Sequence, residues 1–292
     1  MPYDATRTSL LHPGLADDFF LPSRPETDVA LCAEMARVAY VKETSRLEKY
    51  LKRADFKIDQ AVGYARGGTQ AFVAHDQANK ITLVAFRGTE PDDPSDLFAD
   101  ANFLLTDWAD AAGNRSGQVH TGFAKASHEK IDEAEIFRTL KNLIDPVINS
   151  HRILLTGHSL GAALATLMAS WLPGAHLYTF GSPRVGDAAF AQSLKNPVMT
   201  RVVNCCDLVT RVPPESGFGF DYQHVGAFAY IDRNGNRLAS PSDSTITADR
   251  FAATAHYLVH HAFLRGTVFS RDLADHAPIN YVSGVMGTRV SG

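Results

Sequence analysis

One segment of this 292-residue chain carries no formal charge, because none of the 31 positions from Ile153 to Pro183 is Asp, Glu, Lys or Arg. A run of that length could form a membrane-spanning helix. However, Gly157, Gly161, Pro173 and further glycines interrupt it, and they break a continuous spanning helix. The segment instead divides into a buried strand, a tight turn, an apolar helix and a second strand. This is the pattern expected at the centre of a sheet that is covered on both faces.

The pattern along the rest of the chain supports the same fold class. Strands that alternate with helices indicate an α/β protein with a mostly parallel sheet. Outside the charge-free segment, strands are predicted at 69–75, 81–86, 201–205 and 224–231, and helices at 27–52 (one helix or a pair), 123–148 and 247–264. We expect one domain over 1–292, with an N-terminal arm (1–24), a long loop (90–119) whose part 90–108 is a candidate lid, and an irregular C-terminal tail.

The overall composition excludes several function classes. Apolar residues make up 45% and charged residues 21% of the chain, which is typical of a globular protein. The net charge of −4 gives the chain as a whole no attraction for nucleic acid or for an anionic membrane surface. Cys32, Cys205 and Cys206 are too few for a disulfide scaffold, and we expect buried free thiols. The N-terminus lacks a basic region followed by an apolar run, so we expect a cytoplasmic protein, or a secreted one if a leader was removed.

The tight turn inside the charge-free segment matches the pattern of a serine nucleophile. Gly157-His158-Ser159-Leu160-Gly161 fits G-x-S-x-G between a strand and a helix, which is the context of a nucleophile elbow. The elbow would hold the Ser159 hydroxyl above the sheet edge, and the two glycines would let strand and helix approach closely. The helix beginning at Leu160 would direct free N–H groups toward a developing oxyanion. The alternative is an ordinary glycine-rich turn with a surface serine, and we expect a structural role for His158.

Six segments, in order, resemble the class 3 lipases, the family of fungal triacylglycerol lipases with bacterial and plant relatives. The matching segments are VAFRGTE (84–90), VHTGF (119–123), ILLTGHSLGAALATL (153–167), YTFGSPRVGD (178–187), RVVNCCDLVTRVPP (201–214) and HVGAFAYI (224–231). They run through about half of the chain. The resemblance implies an α/β-hydrolase fold and hydrolysis of carboxylic esters, with acylglycerols as the substrate class.

The candidate acid follows the elbow along the chain, since the triad of α/β-hydrolases runs in the order serine, acid, histidine. Asp207 comes directly after the predicted strand 201–205 and stands at the acidic position of the family pattern. Thr210 replaces the proline that the family usually has nearby, which concerns the loop shape rather than the carboxylate. Asp187 is the competing acid, although the resemblance places it in a structural loop.

The candidate base is His276, in a loop near the C-terminus. It follows Asp275 and precedes Tyr281, as the base of the family follows an aspartate and precedes an aromatic residue. His276 would take the proton of the serine hydroxyl, and the acid would fix the imidazole tautomer. The remaining candidates are His260 and His261 on a predicted helix, whereas structural roles are expected for His120, His224 and His256.

Two further features concern the oxyanion and access to the site. The N–H of Leu160 is one expected oxyanion donor, and the resemblance assigns the second to Thr89. Residues 91–99 are acidic and broken by proline, and only Leu97 and Phe98 offer an apolar face. We therefore hypothesise weak interfacial activation and a preference for soluble or short-to-medium acyl esters. Phe103 and Trp108 would either line the mouth of the site or pack in the core.

The sequence contains neither H-E-x-x-H, nor paired C-x-x-C, nor a phosphate-binding glycine loop, so no metal and no cofactor are implied. We predict a serine hydrolase that cleaves carboxylic esters through an acyl-enzyme. Phospholipase A1 and feruloyl-type esterase are the alternatives on the same framework, and an inactive binding protein of the same fold is less favoured. The expected partners are a small-molecule or lipid ester and a transient lipid interface, without nucleic acid and without a transmembrane segment.

Overall fold

The computed structural model describes residues 3–63, 68–90, 103–131, 134–217 and 220–288. Its centre is a sheet of eight strands. In spatial order the strands are β1 (Lys57–Val62), β2 (Ala71–Asp76), β3 (Ile81–Phe86), β8 (Arg152–His158), β9 (His176–Phe180), β10 (Met199–Asn204), β13 (Ala227–Ile231) and β14 (Arg237–Ala239). The pairings from β3 through β13 are parallel, whereas β1–β2, β2–β3 and β13–β14 are antiparallel.

Helices and three small hairpins connect and cover this sheet. The helices are α1 (Arg7–Leu11), α2 (Asp28–Val38), α3 (Thr44–Arg53), α4 (Thr121–Ser127), α5 (Ile136–Ile144), α6 (Leu160–Trp171), α7 (Ala188–Ser193), α8 (Asp243–His260), α9 (Arg271–Ala274) and α10 (Pro278–Val285). The hairpins are β4 (Leu105–Ala109) with β5 (Arg115–His120), β6 (Lys130–Ile131) with β7 (Ala134–Glu135), and β11 (Ser216–Gly217) with β12 (Phe220–Asp221).

Both faces of the sheet are buried against helices. Along β8, Leu155 packs into an apolar layer with side chains of α5 and α6. The neighbouring Leu154 packs into a second layer with side chains of α2, α3 and α10. Successive residues alternate between the layers because side chains of a strand point to opposite faces in turn. The predicted α/β-hydrolase class, with a mostly parallel sheet covered on both sides, is therefore confirmed.

The charge-free segment divides into β8, α6 and β9, as predicted from its glycines. Ten of the twelve residues of α6 are buried, which explains why the helix is apolar almost all round. Among the described residues, no helix is both long and apolar enough to cross a membrane.

The prediction of one long helix over 123–148 is wrong. The chain forms α4 and α5, with the small hairpin between them. Helix α4 ends at Ser127, whose hydroxyl donates to the carbonyl of Ala124 at 2.8 Å. Serine side chains that bond to the preceding turn in this way compete with the helical hydrogen bonds. The predicted helix over 27–52 is the pair α2 and α3, one of the two forms expected.

Two segments predicted to be irregular also contain regular structure. Part of the predicted loop 90–119 forms the hairpin of β4 and β5, whose turn is closed by the Asp110 side chain accepting from the main-chain N–H of Ala112 and Asn114. Aspartate side chains often close turns in this way, so an aspartate in a sequence is a local indication of a turn. The predicted irregular tail contains α9 and α10, and α10 begins at Pro278, a residue that favours the first helical position.

The predictions of an N-terminal arm and of a lid have different outcomes. The predicted arm 1–24 contains α1 and packs into the fold, with Phe19 and Phe20 fully buried. Residues 91–102, which include the candidate lid face at Leu97 and Phe98, lie outside the described residues. Trp108 packs in the core, where its indole N–H donates to Ser170 Oγ at 2.9 Å.

Candidate active site

Ser159 occupies a sharp turn between β8 and α6. Its backbone has φ 58° and ψ −127°, a left-handed conformation that few residues other than glycine adopt. A Cβ on Gly157 would lie 2.2 Å from the carbonyl of Gly161, and a Cβ on Gly161 would lie 2.3 Å from the carbonyl oxygen of Phe86. Both positions therefore require glycine, and the turn can be this tight only with them. Positive φ is uncommon at residues other than glycine, and here it occurs at the serine of the predicted elbow, which makes this turn the candidate catalytic position.

Asp207 and His276 form a buried pair at the carboxyl end of the sheet. His276 Nδ1 lies 2.8 Å from Asp207 Oδ2, which also accepts a hydrogen bond from the Tyr281 hydroxyl. The other carboxylate oxygen accepts from the N–H of Val209 at 2.9 Å, and Thr210 Oγ1 donates to the Asp207 carbonyl at 2.8 Å. Thr210, where the sequence departs from the family pattern, thus adds a hydrogen bond to the same loop.

This pairing selects the tautomer of a neutral imidazole. An ionised carboxylate only accepts hydrogen bonds, so a neutral His276 ring carries its proton on Nδ1 and its lone pair on Nε2. Within the described part of the chain, Nε2 is buried and has no hydrogen-bond partner. A general base that removes a proton from a serine needs this tautomer.

Among the described residues, no hydrogen bond joins Ser159 to this pair. The N–H of Ser159 donates to the carbonyl of Phe180 at 3.0 Å, and the next residue, Gly181, contacts both members of the pair. Hydrogen bonds between nucleophile and base are often long in the absence of substrate.

Gly181 is packed directly against the acid and the base. Its φ is +59°, and a Cβ there would lie 3.0 Å from Asp207 Oδ2 and 3.1 Å from His276 Nδ1. We expect Gly181→Ala to lower kcat/KM for a soluble ester by about tenfold or more, because small displacements of catalytic groups are costly. Gly113→Ala is the matched control, since Gly113 also has positive φ (+88°) but has nothing within 4 Å of a Cβ. Equal losses of activity in the two variants would contradict a positioning role for Gly181.

His158, next to the serine, supports the main chain of the candidate base. Its Nε2 lies 2.7 Å from the carbonyl oxygen of His276, and its Nδ1 lies 2.8 Å from the Tyr40 hydroxyl. Burial, together with the nearby His276, holds the pKa of His158 well below its usual value, so the ring is neutral. A carbonyl only accepts, so Nε2 donates to it and Nδ1 accepts from Tyr40. The sequence contained no signal for Tyr40, which follows α2 far upstream.

Asp275, the residue before the candidate base, links the loop that leads to Asp207 with the turn that contains His276. Its Oδ2 accepts from the N–H of Cys206 at 2.9 Å, and its carbonyl accepts from Asn204 Nδ2 at 2.7 Å. Its other carboxylate oxygen forms an ion pair with Arg271, at 2.8 Å from Nε, and accepts a hydrogen bond from the Tyr3 hydroxyl at 2.9 Å. Asp275 is fully buried, and its carboxylate is stabilised there by one cation, Arg271, and by two donors, Tyr3 and the N–H of Cys206.

The same region contains the one group of metal-ligand residues found among the described ranges, namely Cys205, Cys206 and Asp275. The Asp275 oxygens already form an ion pair with Arg271 and accept hydrogen bonds from Tyr3 and the main chain. The hydrogen bond with Cys206 and burial raise the pKa of the Cys205 thiol, so it is not the thiolate that metals bind. The arrangement favours a structural role for the three buried free cysteines.

The competing candidates have structural contacts elsewhere. Asp187 caps α7 by accepting from the N–H of Phe190 at 2.7 Å. His120 caps α4, and His224 Nε2 bonds to the carbonyl of Thr210 while burial lowers the pKa of His224 to about 2. The histidines of α8 and its end contact each other and neighbouring tyrosines: His256, His260 and His261.

A cleft of about 640 Å³ adjoins the elbow and is lined by both expected oxyanion donors, Thr89 and Leu160. Leu160 is the first residue of α6, so its N–H has no acceptor within the helix. Thr89 follows the end of β3, in a segment fixed by Glu90, which pairs with Arg87 and, at 2.8 Å, with Lys42. Lys42 and Glu90 were not singled out in the sequence.

The chain matches known proteins over most of this region. The family model Lipase (class 3) matches residues 83–217, a range that includes Ser159 and Asp207 and ends before His276. Secreted mono- and diacylglycerol lipase A of Penicillium cyclopium is 33% identical over 181 residues, 60% of this chain and 56% of the relative. Secreted mono- and diacylglycerol lipase MDL3 of Malassezia globosa is 30% identical over 212 residues, 68% of this chain and 67% of the relative.

The fold is also similar to that of a solved fungal lipase. The structure of the lipase from Rhizopus microsporus var. chinensis has a TM-score of 0.55 at 26% identity, covering 73% of this chain and 80% of that one. The chain spans about half the length of several of the curated relatives that it matches.

Proposed function

This chain belongs to the class 3 lipase family, and from that premise we propose that it hydrolyses carboxylic esters, with acylglycerols as the substrate class. The observation that carries the proposal is the combination of a strained serine elbow with a buried Asp207–His276 pair 2.8 Å apart, in which His276 Nε2 has no hydrogen-bond partner among the described residues. The roles that we propose are nucleophile for Ser159, general base and acid for His276, and orienting carboxylate for Asp207.

The proposed reaction has two halves. His276 Nε2 takes the proton of Ser159 as the serine Oγ attacks the ester carbonyl, and the oxyanion accepts from the N–H groups of Leu160 and Thr89. The tetrahedral intermediate expels the alcohol, which His276 protonates, and leaves an acyl-serine. A water molecule then attacks the acyl-serine and gives a proton to His276. Release of the carboxylic acid returns that proton to Ser159, while Asp207 stabilises the imidazolium in both halves.

A substrate panel tests the function and separates it from the alternatives. We expect turnover of monoacyl- and diacylglycerols and of p-nitrophenyl esters, with short-to-medium acyl chains preferred. Phospholipase A1 and feruloyl-type esterase remain alternatives, so a phospholipid and a feruloyl ester belong in the same panel. Faster cleavage of either would select that alternative, and a folded protein that cleaves none of these esters would contradict the proposal.

The relatives also bear on the compartment. The cytoplasmic location expected from the N-terminus finds no support, because both fungal relatives described above are named as secreted lipases. We infer secretion for this chain as well.

A further inference from the structure

Asp275 lies between the two chain segments that carry the candidate acid and the candidate base. Its Oδ2 accepts from the N–H of Cys206, the residue before Asp207, at 2.9 Å. Its carbonyl, which belongs to the peptide bond leading to His276, accepts from Asn204 Nδ2 at 2.7 Å. The peptide before the acid and the peptide before the base are therefore both hydrogen-bonded through this one residue.

Tyr3, from the beginning of the described chain, holds the Asp275 carboxylate on its other side. The Tyr3 hydroxyl donates to Asp275 Oδ1 at 2.9 Å. The Arg271 guanidinium lies over the Tyr3 ring, 4.0 Å from its centre, and its Nε is 2.8 Å from the same carboxylate oxygen. Burial and, after it, the charge of Asp275 raise the pKa of Tyr3 well above its usual value, so the hydroxyl keeps the proton that it donates.

The residue after Tyr3 is attached to the same turn through an asparagine of α10. The N–H of Asp4 donates to Asn280 Oδ1 at 3.0 Å. Asn280 Nδ2 in turn donates to the carbonyl of Asp4 at 2.7 Å and to the carbonyl of Ala274 at 3.0 Å. The Tyr3 side chain thus approaches Asp275 from a main chain that is itself fixed to the turn containing His276.

On the basis of the function proposed above, we propose that Asp275 and Tyr3 are positioning residues for ester hydrolysis. They hold the His276 ring at the distance from Asp207 and Ser159 that proton transfer requires. Asp275 is fully buried, so it acts through the two peptides that it holds and not on the substrate. Hydrogen bonds to a buried carboxylate are strong, and small displacements of a general base lower the rate steeply.

Tyr3→Phe removes the hydroxyl that holds the carboxylate and leaves the ring in place. We expect kcat on a soluble p-nitrophenyl ester to fall by about threefold or more, with KM changed by less than about twofold. Tyr257→Phe is the matched control, because Tyr257 belongs to the apolar cluster against which Tyr3 packs, but its hydroxyl donates to the carbonyl of Val268 at 2.6 Å. It is expected to lower the melting temperature as Tyr3→Phe does and to leave kcat unchanged.

Asp275 is best replaced together with Arg271, because the loss of one partner alone would leave an unpaired buried charge. The double variant Arg271→Gln/Asp275→Asn keeps an amide oxygen that can accept from the N–H of Cys206. Arg271→Gln/Asp275→Ala offers no acceptor. We expect the asparagine form to retain kcat within about threefold and the alanine form to lose about tenfold or more, which separates the hydrogen bond from the charge.

The rate of phosphorylation at the active site distinguishes a displaced base from partial unfolding. Treated with a dialkyl p-nitrophenyl phosphate, each variant is expected to release one equivalent of p-nitrophenol per chain. Tyr3→Phe and the alanine double variant are expected to do so with a smaller rate constant than the unaltered chain. A purely structural role would lower the amount released and leave the rate constant of the folded fraction unchanged.

Equal rate constants in the unaltered chain, Tyr3→Phe and the alanine double variant would overturn the positioning role and leave the proposed function in place. Equal losses of kcat in Tyr3→Phe and Tyr257→Phe would also overturn it, as would a loss in the asparagine form as large as that in the alanine form. An unaltered chain that is folded but neither cleaves esters nor reacts with the phosphate would contradict the proposed function, and the positioning role with it.

Discussion

Replacing Ser159 with alanine is expected to lower kcat for ester hydrolysis by about 10⁴- to 10⁶-fold. The hydroxyl at the elbow forms the acyl bond in the proposed reaction, and alanine offers no nucleophile in its place. The fold should persist, because the tight turn depends on Gly157 and Gly161 rather than on the serine side chain. Initial rates on a soluble p-nitrophenyl ester, with thermal unfolding as the check on folding, provide the measurement.

A covalent inhibitor makes the same test independent of turnover. A dialkyl p-nitrophenyl phosphate should phosphorylate the Ser159 oxygen and release one equivalent of p-nitrophenol per chain, and the Ser159→Ala variant should release none. Ser193→Ala, a serine at the end of α7, is the control and should react like the unaltered chain. A folded Ser159→Ala protein that still cleaves esters at more than about a hundredth of the original rate would exclude Ser159 as the nucleophile.

Replacing His276 with alanine is expected to produce a loss of similar size, about 10⁴- to 10⁶-fold in kcat. The reason is that His276 Nδ1 is hydrogen-bonded to Asp207, whereas its Nε2 has no partner among the described residues and is left to accept the serine proton. The matched variant is His261→Ala, because His261 was the competing base in the sequence and its ring packs against Tyr3 and Tyr257 instead. We expect His261→Ala to retain activity on soluble esters within about twofold.

Added imidazole distinguishes a missing base from a distorted site. Imidazole in the buffer should partly restore hydrolysis in His276→Ala, since it can occupy the vacated volume and accept the proton. It should have no effect on Ser159→Ala. If His261→Ala instead lost activity and His276→Ala kept it, the assignment of the base would be wrong.

The centre of the fold could be predicted from the sequence because its elements have strong local signals. The strand 81–86 and the segments of the charge-free run are apolar, and their boundaries coincide with glycine or charged residues. By contrast, β1 was missed because it is an edge strand with only Val62 buried, so its sequence lacks the apolar pattern of the central strands. Local periodicity thus identifies strands that are buried on both faces and overlooks those that contact only one neighbour.

In the candidate site, too, the residues with a local sequence motif could be predicted, whereas partners from distant segments could not. Ser159 lies in a motif whose context is visible in the sequence, and the chain order of the triad narrowed the choice of Asp207 and His276. The partners that position them were not visible, because Tyr40, Tyr3 and the role of the Tyr281 hydroxyl depend on which distant segments meet.

The hydrogen bonds around the candidate base join residues that are far apart in the sequence. Asp207 and His276 are separated by 69 positions, Tyr40 and His158 by 118, and Tyr3 and Asp275 by 272. Contacts of such long range form slowly, because the intervening chain must first be ordered. During refolding from denaturant, secondary structure would therefore return first and hydrolytic activity last. The time at which activity returns would then show when the two ends of the chain come into contact.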